Sequence, residues 1–419
     1  MKDGDFASMK VIQINAVYKL SSTGHTVLEL HEFLLNNEIK SYVACANTAE
    51  SDEVYLIGSA FEKKWHALMS RLFGVQGYFS RRGTRKLINY MQNIKPDIVH
   101  LRNLHANYLY LPMLFSYLAE NDIGTVITLH DCWIYTGKCT HYTLDRCYKW
   151  QDGCHNCPKL RVDNKSWFFD RTSKMWRDKK AWINSIPRVA VIGVSDWITE
   201  ESRKSILGKV KIIKRIYNWI DLETFKCTAS DYLLKKWKLE NKFVILGVAS
   251  KWSERKGIKT FMQLAERLDK NKKLILIGDI PECTHLPDNA IWIPATNNLQ
   301  ELVEYYSIAD VFLQLSLEET FGKVVAEALA CGTPVITIDS TANSELVSES
   351  CGIVLKSLEL TEILAALQLV EKRGKQYYKD ACRKFVENNF NLNICAQNYI
   401  ECYEEVMKMS KKNYVYREN

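Results

Sequence analysis

Two glutamates separated by seven residues are the sequence feature with the clearest chemical meaning. Glu319 follows a strand-like run, and Glu327 lies in a helix-like run that begins a few residues later. Both carboxylates therefore approach the carboxyl end of a sheet, where α/β proteins bind ligands. Backbone N–H groups at a helix start attract anions, and here they belong to Phe321, Gly322 and Lys323. We expect a diphosphate at these amides, a ribose diol on Glu327 and a sugar on Glu319; the alternative is a pair of surface salt bridges.

Three cations lie in residues 249–257, between a strand-like run and a helix-like run. They are Lys251, Arg255 and Lys256. Positive side chains at the carboxyl end of a strand suit phosphate groups, although a lysine lacks the bidentate fork of an arginine. We expect Lys251 and Lys256 to bind phosphate with support from Arg255. The alternative is an exposed basic loop ahead of a helix.

The elements that must position these residues are strands that alternate with helices along most of the chain. Strand patterns cover residues 10–16, 41–46, 97–101, 125–129, 189–194, 243–249, 273–277, 290–293, 311–315 and 334–338. Such alternation predicts parallel sheets of the Rossmann-like, doubly wound α/β class. We predict a first domain over residues 9–190, a second over 191–385, and a helix in 386–419 that packs back on the first domain.

The first domain has fewer chemically suggestive residues. Gly24 follows the first strand, where a glycine lets a ligand approach the backbone closely, so we assign it to donor binding. His130 and Asp131 follow the strand at residues 125–129. His130 can also be a purely structural histidine. His100 and His105 are expected to line the side of the domain where an acceptor binds.

Residues 316–327 and the Lys256-Gly257 pair together resemble the E-x7-E signature of retaining GT-B glycosyltransferases, of the family 4, group 1 type. Residues 97–104 and 128–133 look like the first domain of bacterial capsule, exopolysaccharide and O-antigen glycosyltransferases. The sequence departs from the family pattern at Lys251, where an arginine is usual.

The resemblance implies two domains that face a central cleft and bind a nucleoside diphosphate sugar. It implies transfer of a hexosyl group, with retention, to a hydroxyl of a glycan or lipid-linked glycan during capsule or lipopolysaccharide biosynthesis. Glu319 and His130 would contact the reacting sugar, with Asp131 in support, and Glu327 would bind the ribose. Protein cations would neutralise the diphosphate, so we expect no catalytic metal.

Three other functions remain open at this stage. A GT-B epimerase or phosphorylase would share the donor site, and a non-catalytic sugar-binding relative would keep the fold. A zinc-stabilised nucleic-acid-binding protein would account for the net charge of +7 and the thirteen cysteines. The sequence lacks a domain-wide basic stripe or a recognised reading motif, so we expect no nucleic-acid partner.

An insert over residues 132–160 contains four cysteines, which are Cys139, Cys147, Cys154 and Cys157. Four thiolates form closed tetrahedral zinc sites, and a metal would order a polar loop that lacks a core of its own. We expect a structural zinc ion here, with Cys132 as an alternative ligand. The alternative is four reduced thiols in a flexible loop.

A basic and aromatic segment, residues 61–91, suggests contact with a membrane surface. It includes Lys64, Arg71 and Arg82 among apolar residues such as Trp65 and Phe73. Such segments lie at the surface of anionic membranes, although the aromatic residues can instead pack inside the domain. The chain has no run of ~18 apolar residues and no signal peptide pattern, so we expect a cytoplasmic protein that is peripheral to the inner membrane face.

Overall fold

The computed structural model describes residues 9–48, 54–228, 230–281, 285–296 and 298–409, and its chain divides into two compact units. The first unit comprises Met1–Ile216 and Ala396–Asn419, and the second comprises Tyr217–Cys395. The first boundary therefore lies beyond the predicted one at residues 190 and 191. A strand that crosses the predicted boundary (Val189–Gly193) and one further strand (Ile212–Arg215) belong to the first sheet, and this accounts for the difference.

The first unit contains a seven-stranded sheet with helices between its strands. In chain order its elements are β1 (Lys10–Tyr18), α1 (Ser21–Asn36), β2 (Lys40–Thr48), β3 (Tyr55–Leu56), α2 (Ala60–Phe73), α3 (Arg81–Ile94), β4 (Ile98–Leu101), α4 (Leu111–Glu120), β5 (Gly124–Leu129), α5 (Thr172–Ser185), β6 (Val189–Gly193), α6 (Asp196–Arg203) and β7 (Ile212–Arg215). The strand order is β3-β2-β1-β4-β5-β6-β7, and every pairing is parallel. Strands β4, β5 and β6 are buried along their whole length, as expected for a parallel sheet covered on both faces.

The second unit repeats this architecture with six strands. Its elements are α7 (Asp231–Trp237), β8 (Phe243–Lys251), α8 (Ile258–Arg267), β9 (Lys272–Asp279), β10 (Ala290–Ile293), α9 (Leu299–Ile308), β11 (Val311–Gln314), α10 (Lys323–Ala330), β12 (Val335–Ile338), β13 (Gly352–Leu355), α11 (Leu360–Arg373), α12 (Lys375–Asn389) and the start of α13 (Leu392–Lys408). The parallel order is β10-β9-β8-β11-β12-β13. All ten predicted strands are present, and β3, β7 and β13 are additional.

The last helix, α13, begins in the second unit and contributes its residues from Ala396 onward to the first. The hydroxyl of Tyr403 lies 2.8 Å from Nδ1 of His100, and that of Tyr399 lies 3.0 Å from Oγ1 of Thr128. This helix therefore supplies buried partners to strands β4 and β5. Residues 410–419 of the predicted terminal segment lie outside the described residues.

None of the helices in the described ranges combines the length and the apolar character needed to cross a bilayer.

Candidate functional site

In the second unit the two predicted motifs meet in an ion pair between Lys256 and Glu319. Lys256 ends a single 3-10 turn (Glu254–Lys256) that follows β8, and Glu319 lies in the loop after β11. Strands β8 and β11 are parallel neighbours, so their carboxyl ends lie at the same edge of the sheet. The Nζ of Lys256 bonds Oε1 of Glu319 there. Two segments more than sixty residues apart are thus joined at one point.

The neighbouring Arg255 holds two backbone segments of the site together, and its predicted contact with phosphate stays a prediction. Its Nη1 donates to the carbonyl oxygen of Glu318 over 2.9 Å, and its own carbonyl accepts the N–H of Leu317 over 2.9 Å. Two reciprocal bonds therefore hold the 3-10 turn against the loop that carries Glu319. This binding of the guanidinium to the protein backbone makes Arg255 a positioning residue in this structure.

The carboxylate of Glu319 is held in a polar pocket with only 9% of the residue exposed. Nε2 of Gln314 donates to Oε1 of Glu319 over 3.3 Å. The backbone N–H of Glu319 donates to Oγ1 of Thr341 over 2.8 Å. Burial raises the pKa of Glu319, but the charge and hydrogen bond of Lys256 lower it more, so the pKa lies below its usual value. Glu319 is therefore ionised at neutral pH.

Glu327 projects from α10, one side of which packs near α9. The hydroxyl of Tyr306, on α9, donates to Oε2 of Glu327 over 2.9 Å. Burial of Tyr306 and the charge of Glu327 raise the pKa of the phenol far above its usual value. The phenol therefore stays protonated and fixes one oxygen of the Glu327 carboxylate.

The N-terminus of α10 begins at Gly322, whose φ of 78° places it in the left-handed region that favours glycine. No side chain caps this helix start. The ring of Phe321 packs on Tyr217 and Phe390 at 5.9 and 5.3 Å between centroids, so only its backbone faces the helix start. Lys323 is partly exposed in the first helical turn, and Lys251 is exposed at the end of β8.

In the first unit, Asp131 and His105 form a partly buried ion pair close to His130. His105 Nε2 lies 2.8 Å from Oδ2 of Asp131, and the N–H of Trp133 donates to Oδ1 over 2.8 Å. Burial lowers the pKa of His105, but the charge of Asp131 outweighs burial, so this pKa lies above its usual value. Burial raises the pKa of Asp131, but the charge and hydrogen bond of His105 outweigh burial, so this pKa lies below its usual value. Asp131 is thus fixed by two partners, and its predicted role in support of His130 stays a prediction.

His130 itself follows β5 and is partly buried. Burial, with the positive charge of Arg102, lowers the pKa of His130 to about 3, so the imidazole is neutral at physiological pH. The expectation that His100 lines an acceptor surface is wrong. His100 is fully buried, and both ring nitrogens bond inside the unit, one to Tyr403 and the other to Thr128 at 2.7 Å.

Gly24 lies in the first turn of α1, where its N–H donates to the carbonyl of Leu20 over 3.2 Å. A Cβ at this position would lie 3.2 Å from the backbone nitrogen of Lys19, which leaves little room for a side chain. The residue belongs to the first unit, whereas the other predicted donor-binding residues belong to the second.

The four cysteines of the insert border one small cavity, together with Trp150 and His155, and all four are free thiols. Within the ranges that the structure describes, no three Cys, His, Asp or Glu side chains are placed to hold a metal ion. The zinc site is therefore not assembled here and stays a prediction.

The premise that the insert lacks its own core is wrong. Tyr135, Tyr142 and Trp150 are buried and contact one another, with centroids 5.2 Å apart for Tyr135 and Trp150 and 5.1 Å for Tyr142 and Trp150. Nζ of Lys179 further donates to the carbonyls of Trp133 and Thr136 at 2.5 and 3.0 Å. Aromatic packing and this lysine therefore give the insert a core of its own.

Sequence reasoning missed Gln314, Tyr306 and Thr341, which hold the two glutamates. Gln314 had a detectable signal, because it is the one polar residue of the otherwise apolar strand β11. Thr341 adopts a φ of 50°, which is unusual for a β-branched residue and marks a constrained loop at this site.

Comparison with known proteins identifies the class of the second unit. Residues 231–391 match the family model described as "Glycosyl transferases group 1". This range contains Lys256, Glu319 and Glu327. The second unit is therefore a group 1 glycosyltransferase domain, and the prediction of an enzyme of this type is confirmed.

Several curated proteins resemble longer parts of the chain. It is 25% identical over 235 residues to N-acetyl-alpha-D-glucosaminyl L-malate synthase of Bacillus anthracis, covering 53% of this chain and 61% of that protein. It is 23% identical over 419 residues to an uncharacterized 41.2 kDa protein in the cps region of Klebsiella pneumoniae, covering 94% and 99%. It is 27% identical over 215 residues to N,N'-diacetylbacillosaminyl-diphospho-undecaprenol alpha-1,3-N-acetylgalactosaminyltransferase of Campylobacter jejuni, covering 48% and 56%. The first and third alignments span less than two thirds of the relative.

The solved structure of Anabaena Alr3699/HepE in complex with UDP is also similar, with 14% identity and a TM-score of 0.67. It matches 95% of this chain and 100% of that chain. This likeness concerns the fold, and it confirms the predicted α/β class of the GT-B type.

Proposed function

We propose that this chain is a retaining glycosyltransferase that uses a nucleoside diphosphate sugar. It transfers the sugar to a hydroxyl of a glycan or lipid-linked glycan during synthesis of a surface polysaccharide. The observation that carries the proposal is the Lys256–Glu319 ion pair at the edge of the second sheet, beside the uncapped start of α10 and the buried Glu327.

The charges suit the departure of a nucleoside diphosphate. Negative charge develops on the diphosphate as the bond to the sugar breaks, and a preorganised cation and helix N-terminus stabilise that charge. Lys256 is already held in position by Glu319, so little reorganisation precedes binding. We propose that Lys256 and Lys251 take the role that a divalent metal plays in other transferases.

The two glutamates divide the polar contacts of the donor. Glu319 is ionised, so its carboxylate oxygens can accept hydrogen bonds from the sugar hydroxyls. Lys256, which stays beside Glu319, donates to the phosphate. Glu327, with one oxygen fixed by Tyr306, is suited to a ribose diol. Retention of configuration and the contact of His130 with the sugar rest on the resemblance to GT-B transferases.

The acceptor class is supported by the relatives. One matches nearly the whole chain and comes from a cps region, and another is named for a diphospho-undecaprenol substrate. A third is named for L-malate, which makes a small hydroxy acid the competing acceptor class.

The test is a panel of UDP-, GDP- and ADP-sugars, with thermal shift and slow donor hydrolysis as readouts. We expect one nucleotide class to raise the melting temperature of the wild type. Lys256→Ala should lose this shift, Glu319→Ala should lose hydrolysis, and Lys259→Ala, an exposed lysine on α8, should behave as wild type. Excess chelator should leave hydrolysis unchanged.

If no nucleotide sugar stabilises the protein at millimolar concentration, the donor site is wrongly assigned. Stabilisation without hydrolysis or transfer would identify a sugar-binding relative. An epimerised sugar or a sugar phosphate as product would identify the epimerase or phosphorylase alternative.

A further inference from the structure

Helix α2 of the first unit has its apolar and polar faces exchanged relative to an ordinary surface helix. Its buried side chains are His66 and Ser70, both polar. Its most exposed large apolar side chains are Phe61 and Phe73, with 77% and 51% of the residue accessible. A surface helix of a globular protein normally buries its apolar stripe and exposes its charged one.

Hydrogen bonds of His66 and Lys63 place α2 in this orientation, whereas Oγ of the buried Ser70 has no hydrogen-bond partner among the described residues. Nε2 of His66 accepts the N–H of Gly77 over 3.2 Å, and Nδ1 therefore donates to Oγ of Ser80 over 2.7 Å. Lys63 bonds the carbonyl of Ala46 and Oδ1 of Asn47, which ties it to the end of β2. These bonds fix which side of the helix faces outward.

A turn at residues 166–169, which follows the cysteine-containing insert, extends the exposed apolar surface. The N–H of Trp167 donates to the carbonyl of Arg71 over 2.7 Å, and Oγ of Ser166 donates to the carbonyl of Phe169 over 2.6 Å. The turn thus lies against the end of α2. The resulting surface, the aromatic face, consists of Phe61, Trp65, Leu68, Phe73, Trp167 and Phe168, all exposed.

Positive charge surrounds this surface. Lys64, Arg71 and Lys165 are exposed among the aromatic residues. The single acid of α2, Glu62, turns toward the protein, where its Oε1 accepts the N–H of Gly83 over 3.0 Å. Aromatic side chains with adjacent basic residues suit the boundary between the headgroups and acyl chains of an anionic bilayer.

We propose that the aromatic face docks the protein on an anionic phospholipid membrane. Trp65, Trp167 and Phe168 enter the interfacial layer, while Lys64, Arg71 and Lys165 contact the lipid phosphates. The proposal agrees with a lipid-linked acceptor, but it stands on the surface of the first unit alone and requires no activity of the donor site. The occupant is a lipid surface because exposed basic residues, Lys64, Arg71 and Lys165, lie among the apolar ones.

The experiment is vesicle co-sedimentation of the full chain with two lipid compositions. Vesicles of phosphatidylglycerol and phosphatidylcholine in equal parts should bind the protein. Vesicles of phosphatidylcholine alone should bind it at least about tenfold more weakly, because the electrostatic contribution is lost. Trp65→Ser with Phe168→Ser should weaken binding to the anionic vesicles by at least about tenfold, since interfacial burial scales with apolar area.

Two controls make the result specific. Tyr232→Ser with Tyr377→Ser removes two exposed aromatic residues of the second unit and should leave vesicle binding unchanged. The Trp65 and Phe168 variant should keep the melting temperature and the donor-dependent thermal shift of the wild type, which separates this proposal from the proposed function.

The proposal is overturned if the wild type does not sediment with anionic vesicles, or if the two pairs of substitutions have equal effects. It is also overturned if sedimentation velocity shows a dimer that only the Trp65 and Phe168 variant dissociates, because the face would then bind a second copy of this chain.

Discussion

The hydroxyl of Tyr306 donates to Oε2 of Glu327 over 2.9 Å, from one helix of the second unit to another. Tyr306 is completely buried, so it affects a ligand through Glu327 rather than by direct contact. Tyr306→Phe keeps the ring and removes the bond. We expect the donor KM to rise about five- to tenfold with little change in kcat, equivalent to the roughly 1 kcal/mol of a typical hydrogen bond.

Steady-state kinetics with varied donor test this prediction. Tyr305→Phe is a matched control in the same unit. It removes the hydroxyl that accepts a hydrogen bond from Nε1 of Trp237 over 3.1 Å. Equal changes in the donor KM for the two phenylalanine variants would argue against a role for Tyr306 in donor binding.

Lys256→Met should shift the acidic limb of the activity profile to higher pH. The pKa of Glu319 lies below its usual value because Lys256 outweighs burial, so the stabilisation from its charge is lost only as pH falls through that low value. Without the ammonium, burial dominates and the pKa rises. The expected readouts are a pH profile of kcat/KM and a matched profile for Lys259→Met. An unchanged acidic limb would show that Glu319 does not control the profile.

Gly322→Ala should cost both stability and donor affinity, whereas Gly374→Ala should cost stability alone. The two glycines have almost the same φ, 78° and 77°, but ψ is 60° at Gly322 and 150° at Gly374, so alanine is strained at both positions and more strongly at Gly374. Nothing lies within 4 Å of a Cβ at Gly374, while one at Gly322 lies 3.4 Å from Nε2 of Gln314. Urea unfolding and the donor thermal shift distinguish the two positions. Normal donor affinity in Gly322→Ala would exclude the start of α10 as part of the phosphate site.

His66 should make the first unit less stable in mild acid. Burial lowers its pKa to about 4 from the ordinary 6.5, so between these values the unfolded chain takes up a proton that the folded chain does not. The free energy of unfolding should therefore fall by up to about 1.4 kcal/mol per pH unit through this group as pH drops. Urea midpoints at pH 7 and pH 5 should show a smaller difference in His66→Gln than in the wild type or in His285→Gln, where the substituted residue is exposed. A pH dependence in His66→Gln as large as that of the wild type would contradict this assignment; a smaller one is expected to remain, because the pKa of His130 is also lowered.

The predicted zinc ion can be tested directly by elemental analysis of protein purified without chelator. The sequence prediction is stoichiometric zinc on Cys139, Cys147, Cys154 and Cys157, lost in Cys147→Ser with Cys157→Ser and retained in Cys227→Ser. Because the insert has an aromatic core, removal of the metal should lower the melting temperature while leaving the fold intact. Absence of zinc, with all four thiols titratable under denaturing conditions, would end the prediction.

The sequence predicted the elements with strong apolar runs and the residues with unusual spacing. Ten strands and the convergence of Lys256 with Glu319 followed from apolar runs and from the rule that parallel strands end at one edge. The position of Gln314 beside Glu319 depends on tertiary packing. The strand β3 has two residues, too few for a pattern.

The sequence did not decide whether the aromatic residues of α2 face outward or pack inside the domain, and the structure of the helix shows why. Its apolar and polar residues alternate with helical spacing in either orientation, so the spacing alone does not say which stripe is buried. The orientation follows from bonds that His66 makes with residues 77 and 80, beyond the helix itself. Similarly, the sequence does not distinguish a loop arginine that binds phosphate from one that donates to the protein backbone, as Arg255 does to Glu318.

The path of α13 has a consequence for synthesis of the protein on the ribosome. The first unit needs Tyr399 and Tyr403 to complete the buried bonds of Thr128 and His100, yet these tyrosines are translated after the entire second unit. Nascent chains therefore carry the first sheet with an uncovered core until α13 has been synthesised, while the second unit can already fold as a continuous segment. Ribosomal stalling or proteolysis just before Tyr399 would then damage the first unit rather than the second.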